Sequence, residues 1–330
     1  MSPPPIGLLG LGAYAPERVM TNDEWAKYVD TTDEWITERT GIKRRHVAAP
    51  DQTTVDLAEQ AARRALAEAG LEPGDVDELI VTSDTPEVYT PDTASFLQVR
   101  LGLREIPSYD LAGSGCAGFV LGMDVARSRV RDDPSRRILV VGVELITRLM
   151  DWHDRNICVL FGDASGAAVI GAGGPKAEIL ATCAGTDGTC GDILKLEVGG
   201  TRSPVNAARV AARLHQKLEM NGREVFKSAV ARMSAATREV AAKAGVTVND
   251  LALVVPHQAN LRILEAVRAE LDLPEDRVVI NVQEYGNTGS ASVPLALWEA
   301  RNHGRVKPGD LVALASFGAG FHWAAMLLRY

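Results

Sequence analysis

The chain has 330 residues, enough for one large domain or two fused halves with an ample core. Its composition, 46% hydrophobic and 24% charged, is that of an ordinary globular protein, and a net charge of −8 argues against general nucleic-acid binding. The four cysteines (116, 158, 183 and 190) have no C-x-x-C spacing and no histidine placed to complete a zinc site. They point to a reduced, cytoplasmic compartment and to no metal. Met1-Ser2-Pro3-Pro4-Pro5 has no basic leader, and no apolar run reaches membrane-spanning length, so neither a signal peptide nor a membrane anchor is expected.

Ile6–Leu11 reads as a short buried strand. Its Gly7, Gly10 and Gly12 resemble a dinucleotide loop, but that motif must open a helix and Ala13-Tyr14-Ala15-Pro16 does not, so the glycines are assigned to packing. Helix starts follow at Thr21-Asn22-Asp23-Glu24 and at Thr31-Thr32-Asp33-Glu34. A basic cluster, Arg39 to His46, is either a solvated loop or a rim that meets phosphate. A helix over Val55–Ala69 stops at Gly70, a strand covers Leu79–Thr82, a loop runs through Val88–Asp92, and Thr93–Leu101 is helical.

Next comes Tyr109-Asp110-Leu111-Ala112-Gly113-Ser114-Gly115-Cys116-Ala117-Gly118-Phe119. A strand-like approach enters a turn of small residues, and a helix leaves it with Phe119, Val120, Met123 and Ala126 on one face. At a helix N-terminus the dipole favours a thiolate, and small neighbours let a substrate reach the sulfur. A free Cys is also commonly a small buried hydrophobe, so both readings stand at this point.

Strand Arg137–Val143 follows, then Cys158–Phe161 and Ala167–Ile170 flanking a turn at Phe161–Gly166. In the second half a helix over Val225–Ala244 stops at Gly245, and strand Leu251–Val255 leads into Pro256-His257-Gln258-Ala259-Asn260-Leu261-Arg262. Asn281–Glu284 reads as strand-like. Gly286-Asn287-Thr288-Gly289-Ser290-Ala291-Ser292 is a second small-residue turn into a helix, Val293–Arg301. Strands Leu311–Ala315 and Ala324–Leu328 flank Phe317-Gly318-Ala319-Gly320. Helix, strand, turn-helix and strand recur in the same order in both halves, which implies an internally duplicated α/β fold. A site at the junction would draw Cys116 from one half and Asn287 from the other. His257 closes a buried strand, a good position for chemistry although a lone histidine there is more often structural. A thiol can take an acyl group as a thioester, and a neutral imidazole and a carboxamide can both donate to a developing oxyanion.

The chain resembles the type III β-ketoacyl-[acyl-carrier-protein] synthases of the thiolase-fold superfamily. The resemblance rests on Val29–Ile36, Arg39-Thr40-Gly41-Ile42, Gly115–Phe119, Phe161-Gly162-Asp163, Pro256–Arg262, Gly286-Asn287-Thr288 and Phe317–Phe321, which lie in the family's order over nearly the whole chain. It implies a five-layered α-β-α-β-α fold in two thiolase-like halves, 1–174 and 175–330. It further implies that Cys116 is acylated by a primer on coenzyme A or acyl carrier protein. His257 and Asn287 would then hold a malonyl extender while it loses CO₂, and the resulting carbanion would attack the Cys116 thioester. Backbone N–H groups of Cys116 and Ala319 would form the oxyanion hole, with Ala319 standing where the family usually has glycine. Trp35, Arg39 and Arg155 would clasp the nucleotide end of coenzyme A or the phosphopantetheine arm, Arg262 would meet acyl carrier protein, and the enzyme would be a homodimer. No bound cofactor is implied.

The six basic against two acidic residues between 202 and 227 fit an anionic partner. Thr90 stands where short-primer members have phenylalanine, and Gly289-Ser290 departs from the usual Ser-Ala. Both departures hint at a primer other than acetyl, in fatty-acid or polyketide synthesis. A papain-like hydrolase also orders Cys, His and Asn this way, but the duplicated pattern and the missing aromatic after Cys116 disfavour it. A thiolase needs a second late cysteine, and none follows Cys190. A priming acyltransferase that never condenses would have little use for both His257 and Asn287.

Overall fold

The computed structural model describes residues 4–330; Met1–Pro3, part of the segment read above for a leader, lie outside it. The first half contributes β1 (Ile6–Tyr14), β2 (Val19–Thr21), α1 (Asn22–Trp25), α2 (Asp33–Thr40), β3 (Arg44–His46) and α3 (Thr54–Ala69). It continues with β4 (Glu78–Thr82), α4 (Thr93–Leu101), β5 (Ser108–Asp110), α5 (Gly118–Asp132), β6 (Ile138–Leu145) and β7 (Asp163–Ala172). The second half contributes β8 (Ala177–Thr186), β9 (Leu194–Leu196), α6 (Ala207–Ala211), β10 (Leu218–Met220) and α7 (Gly222–Lys243). It ends with β11 (Leu253–Pro256), α8 (Leu261–Glu270), α9 (Val282–Tyr285), α10 (Ser292–Asn302), β12 (Leu311–Gly318) and β13 (His322–Arg329).

The main sheet has the order β11-β12-β13-β8-β1-β7-β6-β4-β5. It is two similar half-sheets joined at β1 and β8 by only two antiparallel residue pairs, Gly7 with Glu178 and Leu8 with Ala177. In one half β4 and β6 are parallel and β6 and β7 antiparallel; in the other β11 and β12 are parallel and β12 and β13 antiparallel. The correspondence reaches the edge: β5 pairs in parallel with β4, and a single parallel bridge, Val254 to Val278, stands in its place beside β11.

Strand alternation sorts the core into layers. Ile80, Val140 and Ile170 point inward, as do Val255, Leu314 and Met326 from the other half-sheet; between them lie Phe119, Val120 and Met123 of α5 and Val293, Ala296 and Leu297 of α10. On the outer face of the first half-sheet Leu79, Val81, Leu139 and Val141 pack on α3 and α4, and on that of the second Val254, Ala313 and Leu327 pack on α7 and α8. Helix, half-sheet, helix pair, half-sheet, helix is the five-layered order expected from the sequence. With both faces covered, every residue of β4, β6 and β7 is buried, so these strands read as continuous apolar or small runs.

The glycines of β1 do serve packing. A Cβ on Gly10 would lie 2.2 Å from the carbonyl oxygen of Ala65, and one on Gly12 2.3 Å from that of Ala61, so bare backbone lets β1 press on α3.

Three local expectations are corrected, and one helix is added. Asn281–Glu284 is not a strand: Val282–Tyr285 form α9. Phe161–Gly166 is not a turn between strands, because β7 begins at Asp163 and runs unbroken to Ala172, while Phe161 makes one bridge to Asn287. Helix α8 directly follows the His257 motif, started by Asn260, whose side chain accepts from Arg262 N at 2.8 Å. The Arg39–His46 cluster is neither wholly loop nor wholly rim, since Arg45 is fully buried and donates to Asn22 Oδ1 (2.7 Å) and Val159 O (2.6 Å).

Gly12→Val is expected to lower unfolding free energy by about 1–3 kcal/mol, the usual cost of overpacking, or to prevent folding. Urea denaturation checks this; unchanged stability would remove the packing role of the β1 glycines.

Candidate active site

The site forms where strands and helices of both halves end. Cys116 sits in a single 3-10 turn, Gly115–Ala117, that runs straight into α5. His257 follows β11, and Asn287 lies between α9 and α10. The end of β12 touches the nucleophile turn: a Cβ on Gly318 would lie 2.4 Å from the Cys116 nitrogen, and one on Gly115 2.7 Å from the Ala319 nitrogen. Only bare backbone permits this approach, and it sets the Cys116 and Ala319 amides side by side. Ala319 itself has no positive φ; the left-handed residue of that turn is Gly320 (φ 132°). Alanine is therefore compatible with the position where the family usually has glycine.

Cys116, His257, Asn287 and Ala319 all line one cavity of about 540 Å³. His257 is 2% exposed, and burial drives its pKa down to about 3, so the ring is neutral at physiological pH. Its Nδ1 lies 2.5 Å from Ser292 Oγ, which also accepts from Gln258 N at 3.4 Å. The Ser292 hydroxyl has one proton to give, and donating it to Nδ1 leaves the ring hydrogen on Nε2. Asn287 is fixed in the same sense: its Oδ1 accepts from Gly289 N at 2.9 Å, so its NH₂ is the end left for a ligand. Its backbone is held by Leu160 O (2.8 Å) and by Gly162 N (3.1 Å), which assigns a structural role to the Phe161-Gly162-Asp163 motif. Two hydrogen-bond donors thus face the cavity beside a thiol, an arrangement that can stabilise an oxyanion or enolate next to a nucleophile.

The thiol is not eased toward thiolate as its helix N-terminus suggests. Burial, then the carboxylates of Asp84 and Glu144, push Cys116 up. Glu144 is 1% exposed and accepts from Asp84 N (3.2 Å), Thr85 Oγ1 (2.8 Å) and Ser290 Oγ (3.0 Å). Burial, then Asp84, raise it, and burial raises Asp84 as well. Glu144 also accounts for the unusual Gly289-Ser290: a Cβ on Gly289 would lie 2.6 Å from Glu144 Cγ, and the Ser290 hydroxyl is spent on Glu144 and Thr82 O (2.9 Å). Neither residue lines the cavity.

Toward the mouth the cavity is lined by Trp35, Arg39, Arg223, Phe226 and Arg262. The Arg39 and Arg155 guanidinium carbons lie 4.7 and 4.4 Å from the Trp35 ring centre, and Arg155 donates to Asp30 O at 2.8 Å. Arg39, Arg223 and Arg262 have no ion-pair partner among the described residues, whereas Arg202, counted above among the basic residues, is tied to Asp192 and Glu197 at 2.8 and 2.6 Å. Arg223, Phe226 and Asp84 were not identified from sequence; an excess of positive charge before α7 was the signal available for Arg223. Thr90 is exposed and does not line the cavity of its own chain. No cluster of three or more His, Cys, Asp or Glu able to hold a metal occurs among the described residues, and no helix there is long and apolar enough to cross a membrane.

Because the folded pKa of His257 lies below its ordinary 6.5, the stability this imposes is full above pH 6.5 and is lost as pH falls toward 3. Nitrogen-15 NMR is expected to show a neutral, Nε2-protonated ring that does not titrate between pH 5 and 8. Ser292→Ala should mix the tautomers. A ring that titrates near 6.5 would overturn this reading.

Comparison with known proteins agrees with the site. The family described as 3-oxoacyl-[acyl-carrier-protein (ACP)] synthase III matches residues 109–188, and its C-terminal counterpart matches residues 241–330. The β-ketoacyl-[acyl-carrier-protein] synthase III of Caldanaerobacter subterraneus subsp. tengcongensis is 45% identical over 324 residues, 98% of this chain and 97% of its own. The crystal structure of the corresponding Thermus thermophilus synthase is 45% identical with a TM-score of 0.88, covering 98% of this chain and 99% of that one. The priming β-ketosynthase of the R1128 polyketide pathway is 37% identical with a TM-score of 0.90, covering 100% and 98%. Agreement in sequence along the whole chain, and in fold, makes this chain a member of the 3-oxoacyl-[acyl-carrier-protein] synthase III family, condensing acyltransferases of the thiolase fold.

Proposed function

We propose that Cys116 takes the primer acyl group and that His257 and Asn287 then drive decarboxylation of a malonyl thioester. The observation that carries this is the convergence of the three side chains on one cavity, one from the first half of the chain (1–174) and two from the second (175–330). In the first step Cys116 attacks a primer thioester, and the Cys116 and Ala319 amides receive the oxyanion. In the second, His257 Nε2–H and the Asn287 NH₂ donate to the malonyl thioester oxygen, CO₂ leaves, and the enolate carbon attacks the Cys116 thioester. A neutral, donor-only His257 suits this second step and has no need to act as a base.

The substrates are coenzyme A and carrier-protein thioesters. The cavity, lined by both Cys116 and Trp35, suits a pantetheine arm, and Trp35 with Arg39 and Arg155 against its ring suits the nucleotide end. The unpaired Arg39, Arg223 and Arg262 suit phosphate and, for Arg262, an acidic carrier protein. No resident cofactor, metal, nucleic acid or membrane enters the scheme, and the enzyme works in the cytoplasm. We further propose a homodimer. Val88, Tyr89, Phe96 and Val99 are exposed large apolar side chains on one stretch, which a second copy would cover. Thr90 lies on that stretch and would end the acyl tunnel of the partner subunit, where its small side chain leaves room for medium or long primers. Such primers suit a specialised polyketide enzyme as well as fatty-acid synthesis.

His257→Ala and Asn287→Ala should still take an acyl group on Cys116 but lose malonyl decarboxylation by about 10²–10³-fold, the usual loss per donor. Acyl adducts are read by intact mass and CO₂ by radiolabel. Parent-like CO₂ release in both would exclude this design. Thr90→Phe should shift acylation kcat/KM toward acetyl, because longer primers gain about 0.8 kcal/mol per buried CH₂ only while space lasts. An unchanged primer profile would remove Thr90 from specificity.

A further inference from the structure

The proposed decarboxylation needs two donors, His257 Nε2–H and the Asn287 NH₂, to meet on one thioester oxygen. They come from separate stretches. His257 follows β11, which is the edge of the sheet, and Asn287 follows α9. The approach to α9 is tied to β11 by the single bridge between Val254 and Val278 and by Val279 N, which donates to Val254 O at 2.9 Å. Beyond Val279 the Gln258 side chain takes over. It is 1% exposed and makes four hydrogen bonds, all to backbone. Its Nε2 donates to Pro256 O (2.8 Å) and Val279 O (3.0 Å), and its Oε1 accepts from Asn281 N (2.9 Å) and Val282 N (3.2 Å). That occupies both N–H groups and both lone pairs of the carboxamide, and two carbonyls at one end against two amides at the other fix its orientation.

We infer that Gln258 is a positioning residue that sets the spacing between the two donors. On one side it is the chain neighbour of His257, and its N–H meets the Ser292 hydroxyl that holds His257 Nδ1. On the other its carboxamide seats Val282, the first residue of α9, and Val282 O in turn accepts from Gly286 N at 2.8 Å, immediately before Asn287. One helical turn thus separates the Gln258 carboxamide from the Asn287 backbone. Gln258 does not line the cavity, so its part is positional. Two donors stabilise one developing oxyanion only while both lie within hydrogen-bond distance of it, and a displacement of about 1 Å is costly. The Cys116 and Ala319 amides are held instead by the contact of β12 with the turn before α5, which does not run through Gln258.

The inference rests on the decarboxylating role proposed for His257 and Asn287. Gln258→Met nearly keeps the side-chain volume and removes all four hydrogen bonds. Single-turnover acylation of Cys116 by hexanoyl-CoA, read by intact mass, should stay within about threefold of the parent. Release of radiolabelled CO₂ from malonyl-carrier protein should lose about tenfold or more in kcat, short of the roughly 10²–10³-fold of a donor removed outright, with KM within about threefold. In an Asn287→Ala background the same substitution should cost less than about threefold, because one donor leaves no spacing to set. Gln258→Glu keeps the acceptor for the Asn281 and Val282 amides but loses both donors; it should show the same pattern, and it serves if the methionine variant does not fold. A substitution that only loosens the fold slows acylation and CO₂ release alike, and by the same factor with or without Asn287. That result, or parent-like CO₂ release, overturns the inference. Parent-like CO₂ release from Asn287→Ala contradicts the proposed function and takes this inference with it, whereas a slow Asn287→Ala beside a parent-like Gln258→Met overturns the inference alone.

Discussion

The structure depends on one close approach of backbone to backbone. The end of β12 lies so near the turn before α5 that no side chain fits at Gly318 or Gly115. This contact joins the two halves at the point where chemistry is possible, because it sets two amides together beside Cys116. The buried helix pair α5 and α10 holds the same geometry from behind, since each begins in a small-residue turn that carries a site residue. Duplication thus explains why the site is asymmetric in chemistry but symmetric in architecture. One copy of the turn-helix presents a thiol, and the other presents a carboxamide.

Electrostatics then divides the labour. Burial keeps His257 neutral, and the Ser292 hydroxyl turns the ring so that its hydrogen faces the cavity. Asn287 is turned the same way by the Gly289 amide. Donors aimed where charge will develop are most effective when they need not reorganise, and both are held by buried partners. Below Cys116 the sign is reversed. Burial, then Asp84 and Glu144, oppose a resting thiolate.

Much of this was legible in the sequence. Continuous apolar runs marked β4, β6 and β12 as strands, and glycines at 70 and 245 marked helix ends. The repeated order of elements implied the duplication. Cys116 and Asn287 stood out in small-residue turns that open helices, and His257 at the end of a buried strand. The failures have physical causes. The four residues of α9 are too few to show a helical period, so Val282 and its neighbours read as a strand. The start of β7 at Asp163-Ala164-Ser165-Gly166 consists of small and polar residues that resemble a turn, and only their burial between β1 and β6 makes them a strand. Local spacing could not reveal that Asp84 and Glu144, 60 residues apart, meet at 3.2 Å beneath the nucleophile. Nor could it reveal that Ser290 is turned toward Glu144 rather than toward substrate.

The central claim is that one cavity carries two successive steps on one sulfur. An intact-mass time course on the whole protein, first with an acyl-CoA and then with malonyl-carrier protein, tests it most directly. The account predicts that the mass of one acyl group appears on Cys116 and then disappears with release of an equal amount of CO₂ and of carrier-bound 3-oxoacyl product. An acyl group that persists while CO₂ is released, or that leaves as free acid, would contradict it.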